Sequence, residues 1–266
     1  MQSIYVSSLR QAIREQNLEK LASQLESIVP DLRHQYSSFV VDTPYLNMKV
    51  RSLHAFQISM VQQAIIKLGI EKRDTIHIAD IGDSSGTHIQ YLNNLYNNIE
   101  SYSVNLDEIA VKKIQAKGLK AICARAEDLS NANMQADLFL SFEMLEHLHD
   151  PVNFLRSVSE NSKCHGFVIT IPYLAQSRVG LHHIRKGSNT RVTAEDVHIF
   201  ELSPSSWKLL FKHAGWEVVH ERIYLQYPLK HPLRATKRYW KYSDFEGFYG
   251  IVLKRDPTWK DLYTDW

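Results

Sequence analysis

The sequence feature that most constrains the fold is an apolar run that ends in a glycine turn and continues as a helix, Ile76–Tyr91 (IHIADIGDSSGTHIQY). The run ends at Asp80, the turn lies between Gly82 and Gly86, and a helix is predicted to open near Thr87. In α/β proteins such a turn brings backbone N–H groups to a small-molecule ligand. This stretch therefore predicts a ligand site at the carboxyl end of a strand.

Two carboxylates in this turn indicate which ligand fits. Asp80 and Asp83 would lie beside the pyrophosphate of a dinucleotide, and like charges in a dry pocket repel. The dinucleotide fingerprint G-x-G-x-x-G is also incomplete, because Ser84 stands where its second glycine would be. S-adenosylmethionine carries a sulfonium and an ammonium but no phosphate, so the same carboxylates attract it. Two alternatives stay open, an ordinary helix cap without a ligand and, less favoured, an NAD-dependent oxidoreductase.

After Ile76, short apolar runs alternate with helical stretches, which is typical of a parallel sheet built from β-α-β units. Strands are predicted near residues 76–81, 101–105, 119–124, 137–142 and 165–171. Helices are predicted to open near Thr87, Asp107, Pro151 and Ser203. Two later runs, 216–225 and 247–254, are predicted to pair antiparallel at the sheet edge. The predicted fold class is α/β, a doubly wound, Rossmann-like sheet that is mostly parallel.

The first 75 residues are predicted to form an N-terminal helical extension. Apolar residues recur at helical spacing from Leu9 to Ile28 and again from Val50 to Leu68. These helices either cover the edge of the core or, near Tyr45–His54, fold over the pocket as a lid that contributes to substrate choice. Residues 76–255 then form the main domain, with insertions at 172–202 and 226–246, and residues 256–266 form a C-terminal tail.

The composition bounds the class of protein. The 266 residues suffice for one large α/β domain, and the net charge of +2 does not favour a nucleic-acid binder. Cys123 and Cys164 have neither metal-ligand spacing nor the pattern of a disulfide framework. No run approaches the roughly 20 apolar residues of a membrane helix, and no basic-then-apolar signal opens the chain. We expect a cytoplasmic protein, and the sequence leaves its oligomeric state open.

Several ordered segments resemble one enzyme family. They are DIGDSSG at 80–86, AEDL at 126–129, SFEMLEHLHDPVNFL at 141–155, TIPY at 170–173 and HIFELSPSSWKLLFKHAGWEV at 198–218. Their order is similar to that of the class I S-adenosylmethionine-dependent methyltransferases, over about residues 76–254. The stretch 141–155 is especially similar to the ubiquinone-biosynthesis O-methyltransferases. The resemblance implies S-adenosylmethionine as methyl donor and S-adenosylhomocysteine as product.

The resemblance also implies which residues hold the donor. Asp80 and the Gly82 backbone would receive its amino-acid end, and Gly86 permits close approach because it has no Cβ. Phe142 would form a wall of the pocket. The full implied donor set is Asp80, Gly82, Asp83, Gly86, Asn105, Leu106, Ala126, Glu127 and Phe142.

Two positions depart from the family pattern. Asn105 stands where the family usually has an acid that holds both ribose hydroxyls, and an amide lacks the charge-assisted strength of a carboxylate. Arg125 stands where an acid commonly meets the adenine, so the Ala126 backbone and Glu127 or Asp128 are the expected substitutes. Together with Ser84, these departures motivate an alternative, a catalytically silent methyltransferase-like binding protein.

The stretch after the fourth strand carries the candidate catalytic groups. Methyl transfer needs alignment of donor and acceptor and the removal of at most one proton. Glu143 and His147 are four residues apart and would share one face of a helix if the segment is helical, with Glu146 adjacent. We therefore predict Glu143 and His147 as the catalytic pair, without a bound metal ion.

The same residues offer a metal-dependent alternative. The E-x-x-E-H pattern resembles that of magnesium-using O-methyltransferases, which include enzymes of the ubiquinone pathway and of small-RNA 2′-O-methylation. The resemblance implies a second histidine from a distant segment, here His198. The alternative ligand set is Glu143, Glu146, His147 and His198, and its ion would lower the pKa of an acceptor hydroxyl.

The acceptor side is predicted to be basic. Lysine and arginine outnumber acids between residues 172 and 241, mainly in two segments at 177–191 and 229–241. They form either a solvated basic face or a site for an anionic acceptor, with Arg185 and Lys186 as its first candidates. Tyr239, Trp240 and Tyr242 would stack on a base or sugar, or anchor the edge strand. A small or glycan-like acceptor is favoured over nucleic acid.

Overall fold

The computed structural model of the chain describes residues 2–36, 40–126, 136–193, 196–229 and 247–264. Its centre is a seven-stranded sheet, whose strands are β1 (Ile76–Ile81), β2 (Ile99–Asn105), β3 (Lys120–Cys123), β4 (Leu138–Phe142), β5 (Gly166–Pro172), β8 (Trp216–Leu225) and β9 (Gly247–Arg255). A separate two-stranded ribbon pairs β6 (Arg178–Val179) with β7 (Phe200–Glu201). The helices are α1 (Gln2–Glu15), α2 (Glu19–Ile28), α3 (Pro44–Lys67), α4 (Thr87–Leu95), α5 (Glu108–Ala116), α6 (Pro151–Asn161), α7 (His182–Arg185) and α8 (Pro204–His213).

The strand order in the main sheet is β3-β2-β1-β4-β5-β9-β8. Strands β1 to β5 pair in parallel, whereas β9 runs antiparallel to both β5 and β8. The predicted Rossmann-like, mostly parallel sheet with an antiparallel pair at one edge is therefore confirmed. Because the order reverses between β1 and β4, the loops that follow these strands diverge and leave a crevice at their carboxyl ends.

The N-terminal region is helical, as predicted, but its helices are divided differently. The apolar pattern from Leu9 to Ile28 belongs to two helices, because Asn17 adopts a left-handed backbone conformation with φ of 59° between them. Helix α3 begins at Pro44, earlier than the predicted Val50. Thr43 caps it by accepting a hydrogen bond from the N–H of Leu46 at 3.1 Å.

Two hydrophobic cores lie on opposite faces of the sheet. Helix α3 packs on one face, with Phe56, Ile58 and Val61 completely buried. Helices α6 and α8 cover the other, where the indole N–H of buried Trp216 donates to the carbonyl of Leu155 at 2.9 Å. The residues that precede the sheet in sequence thus supply about half of the buried residues in the core on the α3 face, so residues 1–75 cannot be removed without exposing that face.

The ribbon and the short helix α7 were not predicted. Strands of two residues are too short to show an alternating apolar pattern, so the sequence carries no signal for them. Of the second predicted basic segment, 229–241, only Leu229 is described. Tyr239, Trp240 and Tyr242 therefore lie outside the described residues, as does most of the predicted insertion 226–246.

The helices within the described ranges include none with both the length and the apolarity that crossing a bilayer requires.

Two glycines have a left-handed backbone conformation but different surroundings. Gly86 precedes α4, and Gly118 follows α5. Gly86 has φ of 75°, and a Cβ there would lie 2.9 Å from Leu119 Cδ1 and 3.0 Å from Ile114 Cγ2. Gly118 has φ of 77°, and a Cβ there would have no neighbouring heavy atom within 4 Å. Gly86 is therefore needed for both its conformation and its close packing, whereas Gly118 is needed for conformation alone.

We expect Gly86→Ala to lower the free energy of unfolding by about 2–4 kcal/mol, because it adds a clash in the core to the backbone strain. Gly118→Ala is the matched control and should cost only about 1 kcal/mol. Urea unfolding followed by circular dichroism measures both values. Equal losses in the two variants would contradict the close packing of Gly86.

Candidate functional site

The glycine turn after β1 is held by the side chain of Asp83. Its Oδ1 accepts hydrogen bonds from the N–H of Gly86 at 2.9 Å and of Ser85 at 3.3 Å. Gly82 has φ of 91°, and a Cβ there would lie 3.0 Å from Met144 Cγ in the turn after β4. The turn therefore depends on Gly82 for its close approach to the end of β4, as the sequence predicts for a small-molecule cradle.

Asp80 and Asp83 are both buried and converge on His88 in the first turn of α4. His88 Nδ1 lies 3.1 Å from Asp80 Oδ2 and 3.9 Å from Asp83 Oδ1. Burial and the neighbouring charge of Asp80 raise the pKa of Asp83. Burial alone lowers the pKa of His88, but the hydrogen bond and charge of Asp80 and the charge of Asp83 outweigh it and raise that pKa above its ordinary value.

His88 was not among the predicted site residues, and neither was its partner on α3. Gln57 Oε1 lies 3.0 Å from His88 Nε2, while Gln57 Nε2 donates to Thr170 Oγ1 at 3.1 Å. A helical position occupied by glutamine shows no local signal for a contact made 31 residues away. The one signal for His88 was its place directly after Thr87, in the predicted helix start that follows the glycine turn.

The residues predicted to hold the ribose and adenine of the donor lie at the ends of β2 and β3. Asn105 donates its Nδ2 to the Asp83 carbonyl at 3.1 Å and accepts from the Asp107 N–H at 2.8 Å, so both ends of its amide bind the protein backbone. Asp107 caps α5 by accepting from the Ile109 N–H at 2.8 Å, as predicted. Leu106 is exposed beside them and Ala126 is half-buried. Glu127 lies outside the described residues.

Phe142 and Glu143 lie at the carboxyl end of β4, facing the cluster. The ring of Phe142 is edge-on to the ring of His88, with centroids 4.8 Å apart. Glu143 has a left-handed backbone with φ of 52°, which is rare for a residue with a Cβ and bends the chain sharply after the strand. Phe142, the predicted wall of the pocket, thus contacts the buried acidic cluster through His88. Glu143, the first of the two predicted catalytic residues, follows it directly.

The segment after α2 packs directly on the glycine turn. The Gln35 side-chain oxygen accepts hydrogen bonds from Ser85 Oγ at 2.9 Å and from Thr87 Oγ1, and its carbonyl accepts from Ser84 Oγ at 2.8 Å. Tyr36 follows, and burial, with the charges of Glu143 and Asp83, raises its pKa. The N-terminal segment in contact with the turn is therefore residues 35–36, and the lid predicted at Tyr45–His54 stays a prediction.

The E-x-x-E-H stretch is not an α-helix, so the condition under which Glu143 and His147 would share one helical face is not met. The bend at Glu143 leads instead into a single 3₁₀ turn, Leu145–His147. This turn nevertheless brings Glu146, His147 and His198 together, with one candidate ligand atom from each within 4.8 Å of the others. Glu143 is not part of that group.

The two histidines of this group are oriented by oxygen acceptors. His147 Nδ1 lies 2.9 Å from the Val197 carbonyl, and His198 Nδ1 lies 3.4 Å from Glu201 Oε1. The rings are edge-on, with centroids 4.8 Å apart. A histidine whose Nδ1–H donates to such an acceptor carries its lone pair on Nε2, where it can take a proton or a metal ion.

Glu201 of the ribbon is the centre of a buried charge network. It pairs with Arg178 and, through Oε1, with His182 Nε2 at 2.9 Å. Burial raises the pKa of Glu201, but the hydrogen bonds from His198, Arg178 and His182 outweigh it and lower that pKa to about 2. An ionised Glu201 carboxylate thus holds β6, α7 and His198 together. The contact of this segment with the turn after β4 is a separate hydrogen bond, from the Ile199 N–H to the Glu146 carbonyl at 2.8 Å.

The predicted basic cluster at 177–191 divides into two kinds of residue. Arg178 binds Glu201, and the Arg185 guanidinium donates to the carbonyls of Val179 and Gly180, so both hold the ribbon and α7 together. Lys186 and Arg191 are exposed. Arg185 is therefore a structural residue of α7, and Lys186 and Arg191 are the better candidates for contact with an acceptor.

Comparison with known proteins identifies the family. The sequence profile of a family described as a methyltransferase domain matches residues 54–221, well over half of the chain. A search of curated proteins finds no match.

Solved structures share the fold at low sequence identity. A Galdieria sulphuraria protein assigned provisionally as a sarcosine dimethylglycine methyltransferase is 11% identical with a TM-score of 0.56, over 79% of this chain and 87% of that one. Magnesium protoporphyrin IX methyltransferase from Synechocystis PCC 6803, solved with bound S-adenosylmethionine, is 8% identical with a TM-score of 0.53, over 88% and 90%. A complex of the Haloferax volcanii Trm112 methyltransferase activator with a methyltransferase gives 13% identity and a TM-score of 0.51, over 76% and 94%.

The profile match agrees with the sheet order, with the glycine turn after β1 and with the acidic cluster beneath it, which a cationic donor without phosphate fits. The NAD-dependent alternative is thereby excluded. The chain belongs to the methyltransferase-domain family and is an S-adenosylmethionine-dependent methyltransferase with the class I, Rossmann-like fold.

Proposed function

We propose that the enzyme transfers the methyl group to an oxygen, rather than a nitrogen, of a small or glycan-like acceptor. The observation that carries this proposal is the orientation of His147, whose Nδ1 is held by the Val197 carbonyl at 2.9 Å. Its Nε2 then carries the lone pair of the neutral ring. A hydroxyl must lose a proton as it attacks, whereas a neutral amine is already a nucleophile, so a positioned base favours an oxygen acceptor.

The donor side of the proposed site consists of Asp80, Asp83 and the glycine turn. The donor supplies a methyl group activated by the adjacent sulfonium, so the protein mainly aligns the reactants. The backbone of Gly82 would receive the amino-acid end of the donor, and Phe142 would wall the pocket toward its methyl group. Asn105 binds backbone on both sides of its amide and so positions the loop after β2. Its remaining N–H and oxygen lone pair would meet the ribose.

The acceptor side of the proposed site consists of the bend after β4 and the ribbon above it. Glu143 lies at the bend, next to Phe142, and His147 lies at the end of the 3₁₀ turn under His198. The resemblance of residues 141–155 to the ubiquinone-biosynthesis O-methyltransferases supports the same choice of acceptor atom. Glu143 and His147 are accordingly the proposed catalytic pair, with His147 as the base.

We expect His147→Asn to lower kcat by about 10²–10⁴, because the acceptor hydroxyl loses its base, while the Kd for S-adenosylhomocysteine stays unchanged. The measurement is transfer of labelled methyl to a panel of phenols, sugars and amines, with calorimetry for product binding. His149→Asn is the control, since His149 is exposed two residues later.

Three outcomes would contradict this assignment. Methylation of amines only would overturn the oxygen acceptor, and unchanged kcat in His147→Asn would overturn the base. Binding of S-adenosylhomocysteine without turnover on any acceptor would favour the catalytically silent alternative.

We further propose that the acceptor is anionic and contacts the exposed end of α7. No acid occurs between Ser177 and Arg191, and Lys186 and Arg191 are exposed there. An exposed ammonium or guanidinium beside the acceptor site would attract phosphate or carboxylate groups through charge-assisted contacts.

We expect Lys186→Ala to raise the KM for an anionic acceptor about three- to tenfold, without changing kcat or donor affinity, because it removes an attraction that acts equally in the bound ground state and in the transition state. Steady-state kinetics at low ionic strength measures this effect, and added salt should reduce it. Lys112→Ala on α5 is the matched control, an exposed lysine whose partner is Glu108. Equal effects of the two substitutions would contradict a local acceptor contact.

A second candidate function is divalent-metal-assisted O-methylation, favoured by the convergence of Glu146, His147 and His198. Both histidines have Nδ1 directed at an oxygen acceptor, which is the usual arrangement of metal-binding histidines. Glu146 is buried and supplies the negative charge that a divalent ion needs. Such an ion would lower the pKa of an acceptor hydroxyl and hold it in place, on a small molecule or on RNA.

If this candidate is correct, Mn²⁺ or Mg²⁺ titrated into chelator-treated protein will release or absorb heat with a stoichiometry of one. His198→Asn should weaken that binding by at least about tenfold, because it removes a ligand. His183→Asn on α7 is the control. Absence of heat together with full activity in chelator would leave His147 as a metal-independent base.

A further inference from the structure

The acidic cluster under the glycine turn contains a cation of its own, His88. Asp80, Asp83 and His88 are all more than nine-tenths buried, at 1%, 3% and 7% exposure. His88 Nδ1 lies 3.1 Å from Asp80 Oδ2, and apart from this contact no hydrogen bond from the described residues reaches Asp80 Oδ2, Asp83 Oδ2 or His88 Nδ1. The two carboxylates therefore keep, on Asp80 Oδ2 and Asp83 Oδ2, buried hydrogen-bonding capacity that the described residues do not fill.

Gln57 determines the state of the imidazole. Its Nε2 donates to Thr170 Oγ1, so its Oε1 faces His88 Nε2 and requires a proton on that nitrogen. A neutral His88 would then point the lone pair of Nδ1 at the carboxylate of Asp80, which is repulsive. In the donor-free protein His88 is therefore doubly protonated, an imidazolium that serves as the counter-ion of the two carboxylates.

The other groups around His88 do not supply that charge. From α3, His54 packs edge-on at 4.9 Å between centroids, and burial, with repulsion from His88 and Arg51, lowers its pKa well below the ordinary value. Arg51 donates instead to Tyr91 OH at 2.9 Å, and burial raises the pKa of that phenol to about 12. From β4 the neighbour is Phe142, which does not titrate. Lys117, whose Nζ donates to the Ser85 carbonyl at 2.6 Å, adds a positive charge near Asp83 but makes no contact with His88 among those described. Asp83 and His88 are the groups of this cluster whose pKa values are raised.

We propose that His88 is a positioning residue of the donor site that exchanges its Nδ1 proton for the α-ammonium group of the donor. When the ammonium group arrives beside Asp80, the N–H bond at Nδ1 of His88 breaks and the proton leaves to solvent. The nitrogen keeps the electron pair, which then accepts a hydrogen bond from the ammonium. This inference rests on the proposed role of Asp80 in holding the amino-acid end of the donor.

The direction of the exchange follows from charge. Two cations beside one carboxylate repel, and an imidazolium gives up its proton more readily than an α-ammonium group. The pKa of His88, raised in the donor-free protein, must then fall when the donor binds. Binding is consequently favoured as the pH rises through the donor-free pKa and is weakened below it.

Calorimetric titration with S-adenosylhomocysteine in buffers of different ionisation enthalpy tests the exchange, because this product keeps the α-ammonium group and lacks the sulfonium. Between about pH 6 and 8 we expect release of up to one proton and a Kd that rises by as much as about tenfold per pH unit on acidification. His88→Asn should remove both effects. His77→Asn is the matched control, since His77 also faces a carboxylate, Asp137 at 3.5 Å, but lies exposed at the other end of β1.

A second measurement uses the wild-type protein alone, in case His88→Asn does not fold. The ring carbon–proton signals of the histidines, followed by NMR against pH, should show one buried histidine whose pKa falls on addition of S-adenosylhomocysteine. Binding without proton release, or with proton uptake, would overturn the exchange while leaving the donor site intact. No binding at any pH would overturn the donor site itself, and the exchange with it.

Discussion

The ion pair between His88 and the two aspartates is the interaction on which the arrangement of this protein depends. Two carboxylates buried side by side are strongly unfavourable unless a cation lies between them. His88 reaches them only because Gly86 turns the chain into α4 in a left-handed conformation. Asp83 in turn holds that glycine turn through the N–H groups of Ser85 and Gly86, so the charge pair and the backbone geometry stabilise each other.

Two glutamines join the N-terminal region to the carboxyl end of the sheet, where this ion pair lies. Gln57 on α3 bonds both His88 and Thr170 of β5, and Gln35 bonds the hydroxyls of Ser85 and Thr87. These are side-chain contacts from a region that the sequence assigned only to covering or closing the pocket. Helix α3 is therefore an integral layer of the domain. Its buried Gln57 reaches His88 in the proposed donor site.

Local patterns in the sequence were sufficient for most of the sheet and insufficient for the contacts that determine the site. Strands such as β1 and β5 are continuous apolar runs bounded by turn residues, and Asp107 and Pro151 mark helix starts by their own chemistry, so both kinds of element were predicted from neighbouring residues. His88 with Gln57, and Glu201 with Arg178, join residues 31 and 23 positions apart, and no periodicity encodes such pairs. The local motif showed the position of Asn105 but not its two backbone partners, and its contact with the ribose stays a prediction.

The proposed donor and acceptor sides each contain a histidine, charged on the donor side and neutral on the acceptor side. The difference follows from which ring nitrogen donates a hydrogen bond to a protein oxygen. On the donor side Gln57 Oε1 accepts a hydrogen bond from the Nε2–H of His88, and under the proposed exchange the carboxylates hold a second proton on Nδ1 until the ammonium group replaces it. On the acceptor side the Val197 carbonyl accepts a hydrogen bond from the Nδ1–H of His147, which leaves the lone pair on Nε2 for its proposed role as the base. Methyl transfer removes the sulfonium charge but not the α-ammonium charge of the product. If His88 exchanges its proton for that ammonium, its reprotonation must accompany product release, so acid will favour departure of the product.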